Sequence, residues 1–290
     1  MSERASNRMF EAFLIVCVFI FVMLCLAPFL HIIAISLSSN RAITSGEVTL
    51  FPIEFNWEAY SKVFSDVSMI RSLGFTIILT VATTLLCMVF SVAAAYPLTK
   101  GNLKGRRFFM YLIIITMFFS GGIIPEYLLI RDLHMINSVW SLILPGLISP
   151  FNLIILISFF NNIPPSLEES AEIDGSSHLH TLINIVLPLS MPVLATLALF
   201  YAVGRWNGFQ DSLMYINNPD LYPIQLKLYQ MVQNNMVTEL TQMEGSNRTA
   251  LTPESLKAAS VVFATVPILL VYPWLQKYFV SGVMLGAVKG

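Results

Sequence analysis

Long apolar stretches with very few charges constrain this chain more than any other feature of its sequence. Residues 9–37 are nearly all apolar, and further apolar stretches follow along the 290-residue chain. About 20 apolar residues suffice for a helix to cross the hydrocarbon core of a bilayer. The chain is 56% hydrophobic and 11% charged, whereas soluble domains carry about 25% charged residues. The sequence therefore predicts an all-α polytopic membrane protein.

Six apolar stretches predict six transmembrane helices in one domain, residues 1–290. The predicted spans are residues 9–37, 70–98, 108–130, 139–160, 183–203 and 259–278. Glycine and proline interrupt the third and fourth spans at residues 120–125 and 145–150. Interruptions at membrane depth are tolerated where they face protein or a water-filled cavity. In the fourth span, which also contains Asn152, the break is either part of a substrate path or a simple packing kink.

A short basic segment indicates the orientation. Residues 100–107, KGNLKGRR, lie between the second and third spans. Short basic loops stay in the cytoplasm. Lysine and arginine are equally numerous on the two predicted sides, but those on the inner side are concentrated next to spans, where the rule applies. We therefore predict a multi-pass protein of the cell membrane with both termini in the cytoplasm.

The segment between the fourth and fifth spans is acidic. Residues 166–192 read SLEESAEIDGSSHLHTLINIVLPLSMP, and their carboxylates cannot lie in hydrocarbon, so the segment faces water. Ser166 and Glu169 have the spacing of a capping box at the start of a short helix. Gly175 can end this helix in the left-handed conformation, and Ser177 can cap the next helix.

This short helix has two interpretations from its residues alone. It is either a solvated linker or a docking surface, because Ala171 and Gly175 are small and about one turn apart. Six positions match the pattern E-x-A-x3-G-x9-I-x-L-P, namely Glu169, Ala171, Gly175, Ile185, Leu187 and Pro188. On these residues the segment resembles the EAA loop of the membrane subunits of bacterial ABC importers. It departs from that pattern at Ser170, where the family has alanine.

The resemblance implies a coupling helix, in the loop of residues 164–182, that docks into a groove on a separate ATPase subunit. The residues implied to contact the ATPase are Ser166, Glu169, Ala171, Glu172, Asp174 and Gly175. ATP and Mg²⁺ would be held by that ATPase, and this chain would bind no cofactor of its own.

The C-terminal residues 278–290, YFVSGVMLGAVKG, and the long outer loop before the last span are similar to those of the MalG-like sugar permeases, and most similar to the LplC/YtcP branch. This resemblance implies the type I ABC importer permease (MetI-like) fold. It implies a second permease subunit, two ATPase subunits and an extracellular sugar-binding protein as partners. It implies oligosaccharides, including uronate-containing ones, as substrates. Gly282, Gly286 and Lys289 would contact the ATPase, unless the tail is a disordered end.

Several other functions find little support in the sequence. The G-x4-G-K-[ST] phosphate-binding loop does not occur in it, so the chain is not the ATPase itself. Neither a metal-ligand spacing nor a nucleophile–base pair suggests an enzyme; His178 and His180 are interpreted as linker residues. The net charge of −1 gives no reason to expect a nucleic acid. The spans lack the mid-depth ionisable residues that proton- or sodium-driven transporters use, and a structural membrane protein would not need the coupling loop.

Aromatic and polar residues beside the fifth span have the chemistry to bind a sugar. The candidate substrate path consists of Trp206, Asn207, Gln210, Asp211, Tyr215 and Asn152. Arg205 and Arg71 can meet a carboxylate. An interfacial aromatic belt is the alternative interpretation. We predict a non-catalytic permease subunit of an ATP-driven oligosaccharide importer; the alternatives are a permease for another solute class and an ion-coupled secondary transporter.

Overall fold

The computed structural model describes residues 2–242 and 252–287, which contain helices and turns and no strand. In the first part of the chain the helices are α1 Ser2–Ser36, α2 Asn40–Thr44, α3 Glu58–Ser65, α4 Val67–Thr99, α5 Arg106–Phe118, α6 Ile123–Asp132, α7 Trp140–Ile143 and α8 Pro150–Asn161. The second part contains α9 Pro165–Ile173, α10 His178–Thr181, α11 Leu187–Leu189, α12 Met191–Asn207, α13 Gln210–Tyr215, α14 Ile224–Gln242 and α15 Pro253–Ala287. Two short 3₁₀ turns, Leu144–Gly146 and Pro219–Leu221, and a π-helical turn, Leu182–Val186, join them.

Three helices in the described residues are long and apolar enough to cross a membrane, and they are Phe10–Ser36, Val67–Thr99 and Pro253–Val271. Three further candidates are pairs of helices bent at a short break. If each bent pair is one span, the total is up to six. The overlap with the six predicted spans is close in position, but half of the spans are not straight helices.

Proline and glycine explain the three bends. Arg106–Phe118 and Ile123–Asp132 meet at 118°, where Gly122 has φ of +84°, a conformation open chiefly to glycine. Trp140–Gly146 and Pro150–Asn161 meet at 49°.

The third bend falls within the predicted fifth span. His178–Leu189 lies at 83° to Met191–Asn207. Pro188 and Pro192 have no N–H to donate to the preceding helical turn. Residues 183–189 therefore do not continue the direction of α12.

The chain divides into two compact units, and the unit boundaries fall inside α4, α14 and α15. The first comprises Met1–Ile70 and Leu228–Val266. In it the polar segment after α1 folds back on itself. The Ser36 hydroxyl is 2.8 Å from the Tyr60 hydroxyl, and the Ile53 N–H donates to Ser38 Oγ at 3.0 Å. The apolar face of α1 remains exposed, as expected for a surface that lipid or another subunit covers.

The second unit comprises Arg71–Lys227 and Pro267–Gly290. Its core is an apolar cluster in which Ala95 of α4, Leu156 of α8 and Leu197 of α12 are fully buried. Lipid tails are as apolar as these side chains, so close packing rather than exclusion of water holds such helices together in a bilayer. The cluster fixes the elements on either side of α9.

Candidate functional site

The short acidic helix α9 begins two residues earlier than the sequence indicated, because its N-cap is Pro164 and not Ser166. Pro165 is its first residue and Pro164 stands at the N-cap without a side-chain hydrogen bond. The expected capping box of Ser166 and Glu169 is therefore wrong. Proline is well suited to the first helical position, because its fixed φ matches the helix and its missing N–H would have no partner there. Pro165 thus starts the helix and leaves Ser166 inside the first turn.

The other end of α9 is as predicted. Gly175 has φ of +79°, its N–H donates to the Glu172 carbonyl at 3.0 Å, and the Ser176 N–H donates to the Ala171 carbonyl at 2.9 Å. This pair of bonds is a Schellman motif. A Cβ added at Gly175 would have no heavy atom within 4 Å, so backbone conformation rather than crowding favours glycine there. Ser177 then caps α10 by accepting from the His180 N–H.

The two sides of α9 differ in exposure. Ala171 is only 8% exposed and lies in a cleft of about 670 Å³ between α9 and the residues after it. The other predicted contact residues are exposed, namely Ser166, Glu169, Glu172, Asp174 and Gly175. Ile173 is 85% exposed although it is apolar. A partner can therefore reach the acidic side and Ile173 directly, and Ala171 only by inserting a side chain into the cleft.

Lys100 contacts α9, which sequence reasoning missed. Its ammonium group donates to the Glu168 carboxylate and lies 4.3 Å from the centre of the Tyr96 ring. The basic segment 100–107 was interpreted only as an orientation signal. The one sequence clue to this contact is the opposite charge of the two short segments on the same predicted side of the membrane.

A separate cavity of about 670 Å³ lies where the broken spans meet. It is lined by Thr83 and Cys87 of α4, by Glu126 of α6, and by residues of α7, α8, α12 and α13. Five of the six predicted substrate-path residues line it, namely Asn152, Asn207, Gln210, Asp211 and Tyr215. Trp206 does not line it and is only 7% exposed, so its ring is a packing element and not a surface for a sugar.

Arg205 is already paired in this cavity. Its side chain is 8% exposed; it donates to both oxygens of the Asp211 carboxylate and to the Leu142 carbonyl at 3.0 Å. Arg71 is likewise paired, with the Asp220 carboxylate. The expectation that these two arginines meet a substrate carboxylate is therefore not supported. Arg205 instead ties α12, α13 and α7 into one wall.

Side chains from other helices satisfy the backbone at the break in the fourth span. The Ser149 N–H donates to the Tyr201 hydroxyl at 3.1 Å, which is 2.8 Å from the Ser91 hydroxyl. The Cys87 thiol donates to the Gly146 carbonyl at 3.5 Å. An interrupted helix at membrane depth requires such partners. Cys87 is thus both a fully buried side chain and a hydrogen-bond donor.

Burial raises the pKa of the Tyr215 hydroxyl, and the nearby Glu126 and Asp211 carboxylates raise it further. Tyr215 therefore stays a neutral hydrogen-bond donor at the cavity wall.

The predicted C-terminal contact with the ATPase falls at the end of the described residues. Gly282 and Gly286 lie in the last turns of α15, and Lys289 lies outside the described residues.

The sequence matches the family model of the binding-protein-dependent transport system inner membrane component over residues 76–284. The chain belongs to this family, and it is therefore a membrane component of a transport system and not an enzyme. The prediction of an ABC importer permease is confirmed.

Two relatives from Bacillus subtilis (strain 168) are similar over nearly the whole chain. One is the polygalacturonan/rhamnogalacturonan transport system permease protein YtcP, 41% identical over 98% of this chain and 100% of its own length. The other is protein LplC, 45% identical over 91% of this chain and 89% of its own length. These matches confirm the branch of the family that the sequence indicated.

A solved structure confirms the fold. A chain of a bacterial ABC transporter involved in the import of the acidic polysaccharide alginate superposes with a TM-score of 0.86. It is 32% identical and the match covers 94% of this chain and 98% of that chain. The predicted all-α ABC importer permease fold is therefore correct.

Proposed function

We propose that this chain is one permease subunit of an ATP-driven oligosaccharide importer, and that α9 receives the movement of a separate ATPase. The observation that carries this proposal is α9 itself, a nine-residue helix with exposed carboxylates between two bent apolar segments. Ile173 at 85% exposure is unfavourable in water and is explained by an apolar pocket on a partner.

The complex contains this chain, a second permease subunit, two ATPase subunits that hold ATP and Mg²⁺, and an extracellular sugar-binding protein. Both termini are cytoplasmic, which the basic residues 100–107 support because they lie on the same side as α9. The C-terminal residues Gly282, Gly286 and Lys289 contact the ATPase dimer. This chain binds no cofactor of its own.

The transport cycle is alternating access. ATP closes the two ATPase subunits, and α9 moves with them as a rigid body. Its short length and its fixed C-terminal end suit this role, because a flexible loop would not transmit a displacement. The motion shifts α8, which precedes α9, and α12, which follows it through α10 and α11, and changes the side to which the cavity opens.

The cavity forms part of the substrate path, and its polar side chains form hydrogen bonds with the hydroxyl groups of the substrate. Asn152, Asn207, Gln210 and Tyr215 line it and offer amide and phenol groups that pair with sugar hydroxyls. Oligosaccharides are the substrate class that the names of the relatives support. Arg205 is engaged by Asp211, so uronate carboxylates, if carried, are recognised by other groups.

The test is to purify the complex with its native partners and to measure ATP hydrolysis with the binding protein and a panel of oligosaccharides. The panel contains hydrolysates of polygalacturonan, rhamnogalacturonan and alginate, and neutral maltooligosaccharides. We expect at least one of them to stimulate hydrolysis and to accumulate inside proteoliposomes only with ATP. Uptake driven by a proton or sodium gradient without ATP would instead establish the secondary-transporter alternative.

A further inference from the structure

The cytoplasmic end of α4, as oriented above, meets the first turn of α9 through one ion pair. Lys100 follows the last residue of α4, and Glu168 lies in the first turn of α9. The side chains of Lys100 and Glu168 are 28% and 26% exposed, so most of each is shielded from water. Shielded pairs are screened less by salt than surface pairs.

Lys100 also contacts an aromatic ring of α4, the helix that it follows. Its ammonium lies 4.3 Å from the centre of the Tyr96 ring, four residues earlier in α4, and Tyr96 is 7% exposed. A cation over an aromatic face gains electrostatic attraction. Burial lowers the pKa of Lys100, and the Glu172 carboxylate acts in the opposite direction. The buried Tyr96 ring thus holds the ammonium group of Lys100 next to the acidic side of α9.

The chain itself connects α9 to α8 on one side and to α10–α12 on the other. It offers no such covalent link to α4, which lies far earlier in the sequence. Below Lys100, Leu98 of α4 packs in the same apolar cluster as Leu156 and Leu197. The Lys100–Glu168 pair continues this contact from the cluster to α9.

The α4 helix leads directly to the cavity. Thr83 and Cys87 of α4 line the cavity, and Cys87 bonds the break of the fourth span through the Gly146 carbonyl. The 13 residues from Cys87 to Lys100 correspond to about 20 Å of helix at about 1.5 Å per residue. These residues belong to α4 as far as Thr99, with Pro97 in its last turn, so a displacement of Lys100 at this end is transmitted along α4 to Cys87.

We propose that Lys100 is a positioning residue of the transport cycle, which joins α9 to α4 through Glu168 so that a movement of α9 also moves the cavity wall. This inference rests on the proposed coupling function of α9. It adds a third helix to the two that the chain connects to α9, and it predicts that the pair matters for coupling even where the ATPase still docks.

The experiment reports cavity opening without requiring the substrate. Cys17 and Cys25 are replaced by alanine and Cys87 by serine, which keeps a donor for the Gly146 carbonyl, and Met214→Cys places one thiol in the cavity lining, at a position with no proposed substrate contact. The complete complex is treated with a membrane-impermeant maleimide, with and without Mg-ATP and vanadate. The ratio of the two labelling rates is measured in the parent chain and in Lys100→Glu, Glu168→Lys and the doubly exchanged variant.

We expect each single exchange to reduce the nucleotide-induced change in labelling about fivefold, while the ATPase subunits still copurify. The double exchange restores the ion pair with its charges reversed and should recover part of the change, because a carboxylate at position 100 has no attraction to the Tyr96 ring face. Lys104→Glu is the matched control, because it makes the same charge change in the same exposed basic segment and should leave the ratio unchanged.

The outcomes separate this inference from the function on which it rests. A normal labelling ratio in Lys100→Glu, or failure of the double exchange to recover any of the change in a complex that assembles, would overturn the positioning role of Lys100 and leave the coupling function standing. If nucleotide changes nothing even in the parent chain, the proposed coupling is wrong and this inference fails with it.

Discussion

Helix α9 and the cavity, the two polar regions of the second unit, differ in the exposure and pairing of their charged side chains. On α9 most carboxylates are exposed, and Glu168 is the one member for which the described contacts include an ion pair. In the cavity, Arg205 is buried, and its two terminal nitrogens donate to Asp211 and to backbone carbonyls, whereas its Nε has no described hydrogen-bond partner. A surface that binds a protein keeps its charges available for that partner. In the proposed function the cavity is the substrate path, and the pairing of Arg205 with Asp211 within its wall leaves this cation unavailable to hold a substrate there.

The largest effect should come from reversing charge on the exposed side of α9. Glu169→Lys places a cation where the partner surface is complementary to an anion, so transport and stimulated ATP hydrolysis should fall by about two orders of magnitude. Hydrolysis and uptake by the reconstituted complex measure this. Glu58→Lys, another exposed glutamate in the first turn of a short helix, is the control. Equal effects of both changes would contradict a special role for α9.

The next largest effect concerns the neutralised wall. Arg205→Met removes the donor to the Leu142 carbonyl and the cation beside the Asp211 carboxylate, which keeps only the Ser212 N–H among its described donors, and this should lower stability by about 3 kcal/mol. The melting temperature of the purified complex should therefore fall, whereas Arg71→Met, which breaks an exposed pair, should change stability by less than about 1 kcal/mol. If the exposed pair proved the more important, the contrast between the two regions would not hold.

A smaller effect is expected at the end of α9. Gly175→Val forces a β-branched residue to φ of +79°, where L-residues are strained by about 1–2 kcal/mol. Copurification of the ATPase subunits should weaken several-fold. Gly175→Asn should retain most of the binding, because asparagine tolerates this conformation better than other residues with a Cβ. A similar loss of ATPase binding in both variants would indicate that a side chain at position 175 clashes with the partner surface, and that backbone strain is not the cause.

The smallest effect should come from removing a single amide group that is proposed to form a hydrogen bond with a sugar hydroxyl. Asn207→Ala removes one amide from the cavity lining and should reduce uptake about threefold to tenfold, at about 1 kcal/mol for one hydrogen bond. Asn162→Ala, an exposed asparagine outside the cavity, is the control. Unchanged uptake in Asn207→Ala would remove this residue from the substrate path.

Local signals in the sequence predicted local features of the structure. Gly121, Gly122 and Pro125 marked one break, and Gly175 marked the end of α9. The capping box failed because Pro165 starts the helix before Ser166 can. Trp206 was assigned to the wrong side, although Leu199, seven residues earlier, is buried on the same helical face, which the helical period could have shown.

Contacts between distant residues could not be read from the sequence. Lys100 and Glu168 are 68 residues apart, and Ser149 and Tyr201 are 52 apart. Neither pair has a spacing that a local pattern detects, because both depend on which helices pack together. The pairing of Arg205 with Asp211 spans only six residues, yet an arginine and an aspartate at this distance carry no signal that distinguishes a mutual pair from two ligand contacts.

The hydrogen bonds that other helices make to the break in the fourth span also have a consequence for membrane insertion during synthesis. The amide of Ser149 finds its acceptor in Tyr201, which the ribosome adds 52 residues later. At about 5–20 residues per second this delay is roughly 3–10 s. During that time the interrupted segment has an unpaired backbone donor, which is costly in hydrocarbon. Insertion of this half-helix should therefore be completed only after α12 arrives, and truncation of the nascent chain before residue 201 should leave it outside the hydrocarbon.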